Sequence, residues 1–202
     1  MAERVVKQAR AERTSAAVLL AAAEVFAEYG FTAATVMKIA DRAGVTLGAV
    51  YFHYRSKEDL ARAIVTRQPD FVVPPDSSKG LRRAIDLTRT WARQLASDPM
   101  LRAGGRLVWE QDRFMHDAEN SHQQWTRLIT TDLQGAQDTG ELRPGVDVSA
   151  MARLVVNACT GAQMHSYVES RHMDLPSRVE EIWRCLLPGL AATGGTEALE
   201  PR

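Results

Sequence analysis

An all-α fold is predicted for this chain of 202 residues, and three observations predict it. Apolar residues recur at three- and four-residue spacing in one segment after another, the period of a helix with one buried face. No segment alternates apolar and polar residues at the period of a strand. The stretch from Thr35 to Tyr54 reads as two short helices folded against each other around Gly44, each opened by a threonine. Hydrophobic residues make up 45% of the chain, enough for a sizeable core in one domain or two small ones.

Residues 1–9 are expected to form a flexible basic arm. Arg4 and Lys7, with Arg10 and Arg13 just beyond, outnumber Glu3 and Glu12, and such an arm can reach a groove or the backbone of DNA. An amphipathic helix is expected from about Ala11 to Tyr29, with Leu19, Ala22, Ala23 and Phe26 on one face and Gly30 as its stop. Thr35 is a good N-cap, and Val36, Ile39 and Ala40 then share a face. Gly44 accepts the left-handed conformation that a sharp reversal requires, and Val45 fills the gap between the helices.

Thr46 caps a second helix of about Leu47 to Phe52. Val50 turns inward and leaves Leu47, Gly48, Ala49 and Tyr51 on the other side. A helix presented in this way can enter the major groove of DNA, and the small Gly48 and Ala49 allow close approach. Tyr51, His53, Tyr54, Arg55 and Lys57 crowd its exit, and hydroxyls, imidazoles and cations are the usual partners of phosphates. The expected DNA-binding set is Thr35, Lys38, Thr46, Leu47, Gly48, Tyr51, His53, Tyr54 and Lys57.

Ser56 can cap a connecting helix that runs to about Gln68, with Asp59 as a capping-box-like partner. Pro69 and the run from Val72 to Ser78 break it. Further helices are expected at about Lys79–Ala96, Pro99–Asp112, Ser121–Asp138, Val148–Glu169 and Pro176–Ala192, and residues 194–202 as a disordered tail. Asp98-Pro99 and Asp147 are start signals; Gly140, Pro144-Gly145 and Gly194-Gly195 are stops. The domain boundaries drawn from this pattern are 10–56 for the helix-turn-helix and 57–193 for a helical bundle. Gly104 and Gly105 lie inside a helix at a cost of about 1 kcal/mol each against alanine. Close packing, a kink, or backbone access to a ligand would each explain them, and the pair is expected to give the helix freedom to transmit a change in a pocket.

Twenty-five basic residues balance 25 acidic ones, so no global basicity advertises nucleic acid, and a DNA contact must rest on a local face. Cys159 and Cys185 stand far apart in apolar helical contexts. They read as buried small hydrophobes of a reducing compartment, with no metal-ligand spacing around them. No cofactor is expected. No signal peptide or membrane-length apolar run is read, so the expected location is cytoplasmic, with no membrane partner.

Residues 10–60 resemble the N-terminal domain of the TetR family of transcriptional repressors. The segments that carry the resemblance are Ala22-Ala23-Glu24-Val25-Phe26-Ala27-Glu28-Tyr29-Gly30-Phe31, Ala43-Gly44-Val45-Thr46, Gly48-Ala49-Val50-Tyr51-Phe52-His53-Tyr54 and Ser56-Lys57-Glu58-Asp59-Leu60. The resemblance implies three small DNA-binding helices and a larger helical domain for ligand binding and dimerisation. One departure stands out: many members carry lysine before the glycine of the recognition helix, where this chain has Leu47. An apolar contact, such as one to a thymine methyl, then replaces a cation. The run Met100-Leu101-Arg102-Ala103-Gly104-Gly105-Arg106-Leu107 after Asp98-Pro99 resembles the γ-butyrolactone autoregulator receptors within that family.

That subfamily implies a ligand contact at Trp125. Gln68 and Thr160 are expected as polar handles for a lactone or furan carboxylate, and Trp109 and Gln163 as further lining residues. The last two long helices are apolar over much of their circumference, through Ala152, Val155, Val156, Ala158, Cys159 and Ala162, then Val179, Ile182, Trp183, Leu186 and Leu187. A homodimer seam accounts for this, and it sets two recognition helices about one DNA turn apart on a pseudo-palindromic operator. The expected function is a repressor released from operator DNA by a small hydrophobic inducer. The alternatives are a pseudo-receptor of the same fold that answers to an antibiotic and, more remotely, a small helical enzyme. Against the enzyme, none of the five histidines pairs with a nucleophile motif.

Overall fold

The computed structural model describes residues 2–116 and 119–192. The expected tail, residues 194–202, lies outside them, as do the side chains of Arg4 and Lys7 in the expected arm. Nine α-helices and two 3₁₀ segments occur among the described residues: α1 (Ala2–Ala33), α2 (Val36–Ala43), α3 (Leu47–His53), α4 (Lys57–Arg67), α5 (Gly80–Gln94), α6 (Pro99–Leu107), α7 (Ser121–Asp138), α8 (Val148–Ser170) and α9 (Leu175–Leu190). The 3₁₀ segments are Gln68–Phe71 and Val108–Arg113.

The chain divides into two compact units, one of Met1–Phe71 with Ser97–Asn120 and the other of Val72–Ala96 with Ser121–Arg202. The first unit thus runs past the expected boundary at residue 56. The connecting helix α4 and the distant helix α6 both belong with the helix-turn-helix.

In the first unit α1 packs on α2, α4 and α6. Val18, Leu19, Ala22, Val25 and Phe26 form its buried stripe. Ile39 of α2, Val50 of α3, Leu60 and Ile64 of α4 and Leu107 of α6 close the same core. Phe31 lies between Phe26 and Phe114, at ring-centroid separations of 6.1 and 5.0 Å. The helix expected to begin near Ala11 extends back to Ala2, so residues 2–9 are its first turns rather than a separate arm. Its stop is as expected: Gly30, at φ 73° and ψ −179°, breaks the helix before one last turn to Ala33. Residues Gln8–Ala33 are long and apolar enough to cross a membrane, contrary to expectation, but half of an 18-residue apolar window within them is buried in the unit, as in a core helix.

Local signals set the ends of the short helices. Thr35 Oγ1 accepts from Lys38 N and Thr46 Oγ1 from Ala49 N. Gly44 is left-handed, and its N–H returns to the carbonyls of Ala40 and Asp41. Ser56 Oγ accepts from Asp59 N, while the Asp59 carboxylate accepts from Arg55 N, one residue short of a true capping box. Asp98 caps α6 through Leu101 N, with Pro99 in its first turn. The helix expected to reach Asp112 instead tightens into the 3₁₀ segment at Val108.

The second unit packs α5 against α7 and α9, and α8 against both α7 and α9. Trp183 is fully buried, and its indole N–H donates to Thr88 Oγ1 at 2.7 Å. Buried Arg89 meets Glu180 at 2.6 Å. An isolated antiparallel bridge, Leu142 to Ala191, ties the turn after α7 to the end of α9.

Candidate nucleic-acid interface

The outward side of α2 and α3 is built from residues that the core leaves over. With Ile39, Ala40 and Val50 buried, Thr35, Met37, Lys38, Thr46, Leu47, Gly48, Tyr51 and Phe52 are exposed. Leu47 is 42% exposed, Tyr51 48% and Phe52 80%, a large apolar and aromatic surface for so short a helix. A Cβ on Gly48 would meet nothing nearer than Thr46 Oγ1 at 3.9 Å, so the backbone there is open to a close approach. His53 is half-buried and sits edge-on to Phe52, with ring centroids 5.1 Å apart.

Several residues of the expected set have structural duties. The hydroxyl groups of Thr35 and Thr46 are engaged as caps. Tyr54 OH lies 3.2 Å from Ser15 Oγ and ties the exit of α3 to α1. Lys38 Nζ donates to the Ala33 carbonyl at 3.2 Å and sits over the Tyr29 ring.

Lys57 is engaged within the unit as well. Its Nζ donates to the carbonyls of Phe31 at 2.8 Å and Ala34 at 3.1 Å and stacks over the Phe31 ring, which leaves one of the three ammonium donors for a phosphate. Arg42 is likewise engaged, with Glu24 at 3.2 Å and Glu28 at 2.9 Å. Hydrogen bonding to Arg42 holds the Glu28 carboxyl below its ordinary range.

Sequence reasoning passed over Phe52, Met37 and Glu110. The first was findable, since Phe52 lies four residues after Gly48 and so shares its outward face. Met37 likewise falls off the face set by Ile39 and Ala40. Glu110, in the 3₁₀ segment after α6, accepts from the backbone N–H groups of Phe31 and Thr32 and had no signal, because those partners lie 79 and 78 positions away.

The expected ligand residues fall in both units. In the first, Gln68 is 3% exposed; its Nε2 donates weakly to the Leu101 carbonyl at 3.5 Å, and its buried Oε1 has no hydrogen-bond partner. A Cβ on Gly104 would stand 2.4 Å from the Gln68 amide carbon, so close packing is the reason for that glycine. Trp109, expected to line a cavity, is 51% exposed in its 3₁₀ segment. In the second unit Trp125 is half-buried on α7 and Gln163 buried on α8. One turn before Gln163, Thr160 donates its hydroxyl to the Val156 carbonyl at 2.8 Å.

Residues 18–64 match the family model described as bacterial regulatory proteins, tetR family, and residues 78–192 match the tetracyclin repressor-like C-terminal domain. This chain belongs to the TetR family. It is a DNA-binding repressor of that family. The A-factor receptor protein of Streptomyces griseus is 35% identical over 195 residues, 96% of this chain and 70% of that one. Full-length native TylP, a TetR regulator from Streptomyces fradiae, superposes with a TM-score of 0.85 at 37% identity, over 95% of this chain and 92% of that one. A γ-butyrolactone receptor described as ArpA-like gives a TM-score of 0.74 at 29% identity, over 94% of both chains.

Proposed function

We propose that this TetR-family repressor acts in the cytoplasm as a homodimer on a pseudo-palindromic operator and is released by a small hydrophobic signal of the γ-butyrolactone, furan or butenolide type. The observation that carries the ligand class is the match to the A-factor receptor over 96% of this chain. In the second unit, half-buried Trp125 on α7 offers an indole face. Thr160 and Gln163 lie one turn apart on α8, which packs on α7, and offer a hydroxyl and an amide. In the first unit Gln68 Oε1 is a buried acceptor without a hydrogen-bond partner. On the DNA side Leu47, Gly48, Tyr51 and Phe52 form the reading face, with Thr35, Thr46 and His53 at its edges.

The dimer reading rests on α8 and α9. Val155, Val156, Val179 and Trp183 are consumed by the unit's own core, yet Leu154, Ala158, Ala162, Ile182, Cys185 and Leu186 still line an open apolar groove. A second copy placing the same groove against it buries both by twofold symmetry.

Release follows from linkage: the ligand must bind the state that does not fit DNA better than the state that does. Gel shifts with an operator duplex, titrated with synthetic γ-butyrolactones and butenolides, test the reading. Micromolar or lower lactone should free the DNA, and Trp125→Ala should raise the required concentration by about tenfold or more, the order expected for a buried aromatic contact. Operator binding that survives every such ligand rules out the receptor and leaves the repressor.

A further inference from the structure

The joint between α1 and α2, from Gly30 to Ala34, is gripped by two opposite charges. Glu110, in the 3₁₀ segment after α6, accepts from the Phe31 backbone N–H through Oε1 at 2.9 Å. Its Oε2 accepts from the Thr32 N–H at 3.2 Å and from the Thr32 hydroxyl at 2.5 Å. Lys57, the first residue of α4, takes the carbonyls of Phe31 and Ala34. The donors of the joint thus face an anion and its acceptors a cation, each a charge-assisted bond.

Gly30 makes the grip possible, because a Cβ there would stand 2.9 Å from Glu110 Oε1. Burial alone would raise the Glu110 carboxyl, but the hydrogen bonds from Thr32 and Phe31 outweigh it and hold the group below its ordinary range.

We propose that Glu110 is a positioning residue for operator binding: it sets the angle of the α1–α2 joint and, through α2, the angle at which α3 enters the major groove. The path is short. Thr35, the cap of α2, directly follows the joint, and α2 and α3 are locked together at Gly44–Thr46 over a shared core. Glu110 itself rides on a 3₁₀ segment, whose weaker hydrogen-bond geometry makes it an apt hinge. A small shift of that segment breaks three hydrogen bonds to the joint at once.

The sign of the effect makes the proposal testable. Glu110 is an anion on a DNA-binding unit, so on charge alone its removal strengthens binding. Positioning requires the reverse. Full-length wild-type protein, Glu110→Gln and Thr32→Val are compared by fluorescence anisotropy on an operator duplex selected with the wild type from a randomised pool, and on random-sequence DNA. Circular dichroism melts define a temperature at which each protein is fully folded.

Glu110→Gln should weaken operator binding by about tenfold, the order of losing a hydrogen bond to a charged group, while affinity for random DNA holds or rises. Thr32→Val, which removes one bond and no charge, should weaken operator binding by about threefold with the same loss of preference for the operator. A merely structural role lowers the melting temperature and leaves the operator-to-random ratio of the folded protein intact. That result, or tighter operator binding by Glu110→Gln, overturns the proposal. Should Glu110→Gln fail to fold, Thr32→Val decides, and wild-type operator affinity in that variant overturns it.

Discussion

Gly30 and Gly44 both sit at positive φ, 73° and 65°, yet their substitution by alanine should differ in cost. At Gly44 a Cβ meets nothing within 4 Å, so only the backbone penalty applies, about 1–2 kcal/mol. At Gly30 the ψ of −179° puts the residue in a region that is essentially glycine's alone, and the added Cβ would press on Glu110 Oε1. Gly30→Ala should therefore cost more than Gly44→Ala, about 3 kcal/mol or above, as read by urea denaturation. Equal losses would show that Glu110 gives way freely. Gly44 was legible because a turn declares itself locally. Gly30 was legible as a stop, but not as the seat of a carboxylate from a remote segment. The duty of Lys57 at the joint was hidden in the same way: its type suggested a phosphate, and only the fold brings two carbonyls beneath it.

Elements were most readable where their ends carry their own chemistry. Thr35, Thr46, Ser56, Asp98 and Asp147 all cap the helices they were expected to open, since a cap bonds within three residues of itself. The passage of α6 into a 3₁₀ segment at Val108 had no such marker. How α9 meets α5 was equally hidden. Arg89 is 6% exposed and relies on Glu180, so Glu180→Ala should destabilise by about 2–3 kcal/mol, at the low end for a broken buried pair because Asp86 remains 3.8 Å away. Trp183→Phe keeps most of the packing and loses chiefly the bond to Thr88, about 1 kcal/mol. Chemical denaturation of the two variants checks the order. If Trp183→Phe proves the costlier, packing rather than the ion pair holds α9.

At the scale of the molecule the two cysteines report on assembly. Burial pushes the Cys159 thiol up to about 12, so it should stay inert to a disulfide reagent at pH 8 in native protein. Cys185, expected to be buried like its partner, is exposed in the groove of α8 and α9. At high dilution one thiol per chain should react; at concentrations that favour the proposed dimer, labelling of Cys185 should slow. Leu186→Arg should abolish that protection, with the mass checked by analytical ultracentrifugation. Labelling independent of concentration would remove the groove from the dimer seam. Periodicity, caps and the Thr35–Tyr54 hairpin by themselves determined an all-helical chain with a DNA-binding hairpin, because those signals act within a few residues along the chain, and the resemblance of its segments to the TetR family supplied the repressor. Only the tertiary structure decided that α6 joins the DNA-binding unit, that Lys57 and Glu110 grip the α1–α2 joint, and which apolar residues of α8 and α9 remain uncovered. Those outcomes depend on contacts between residues far apart in sequence, which no local pattern encodes.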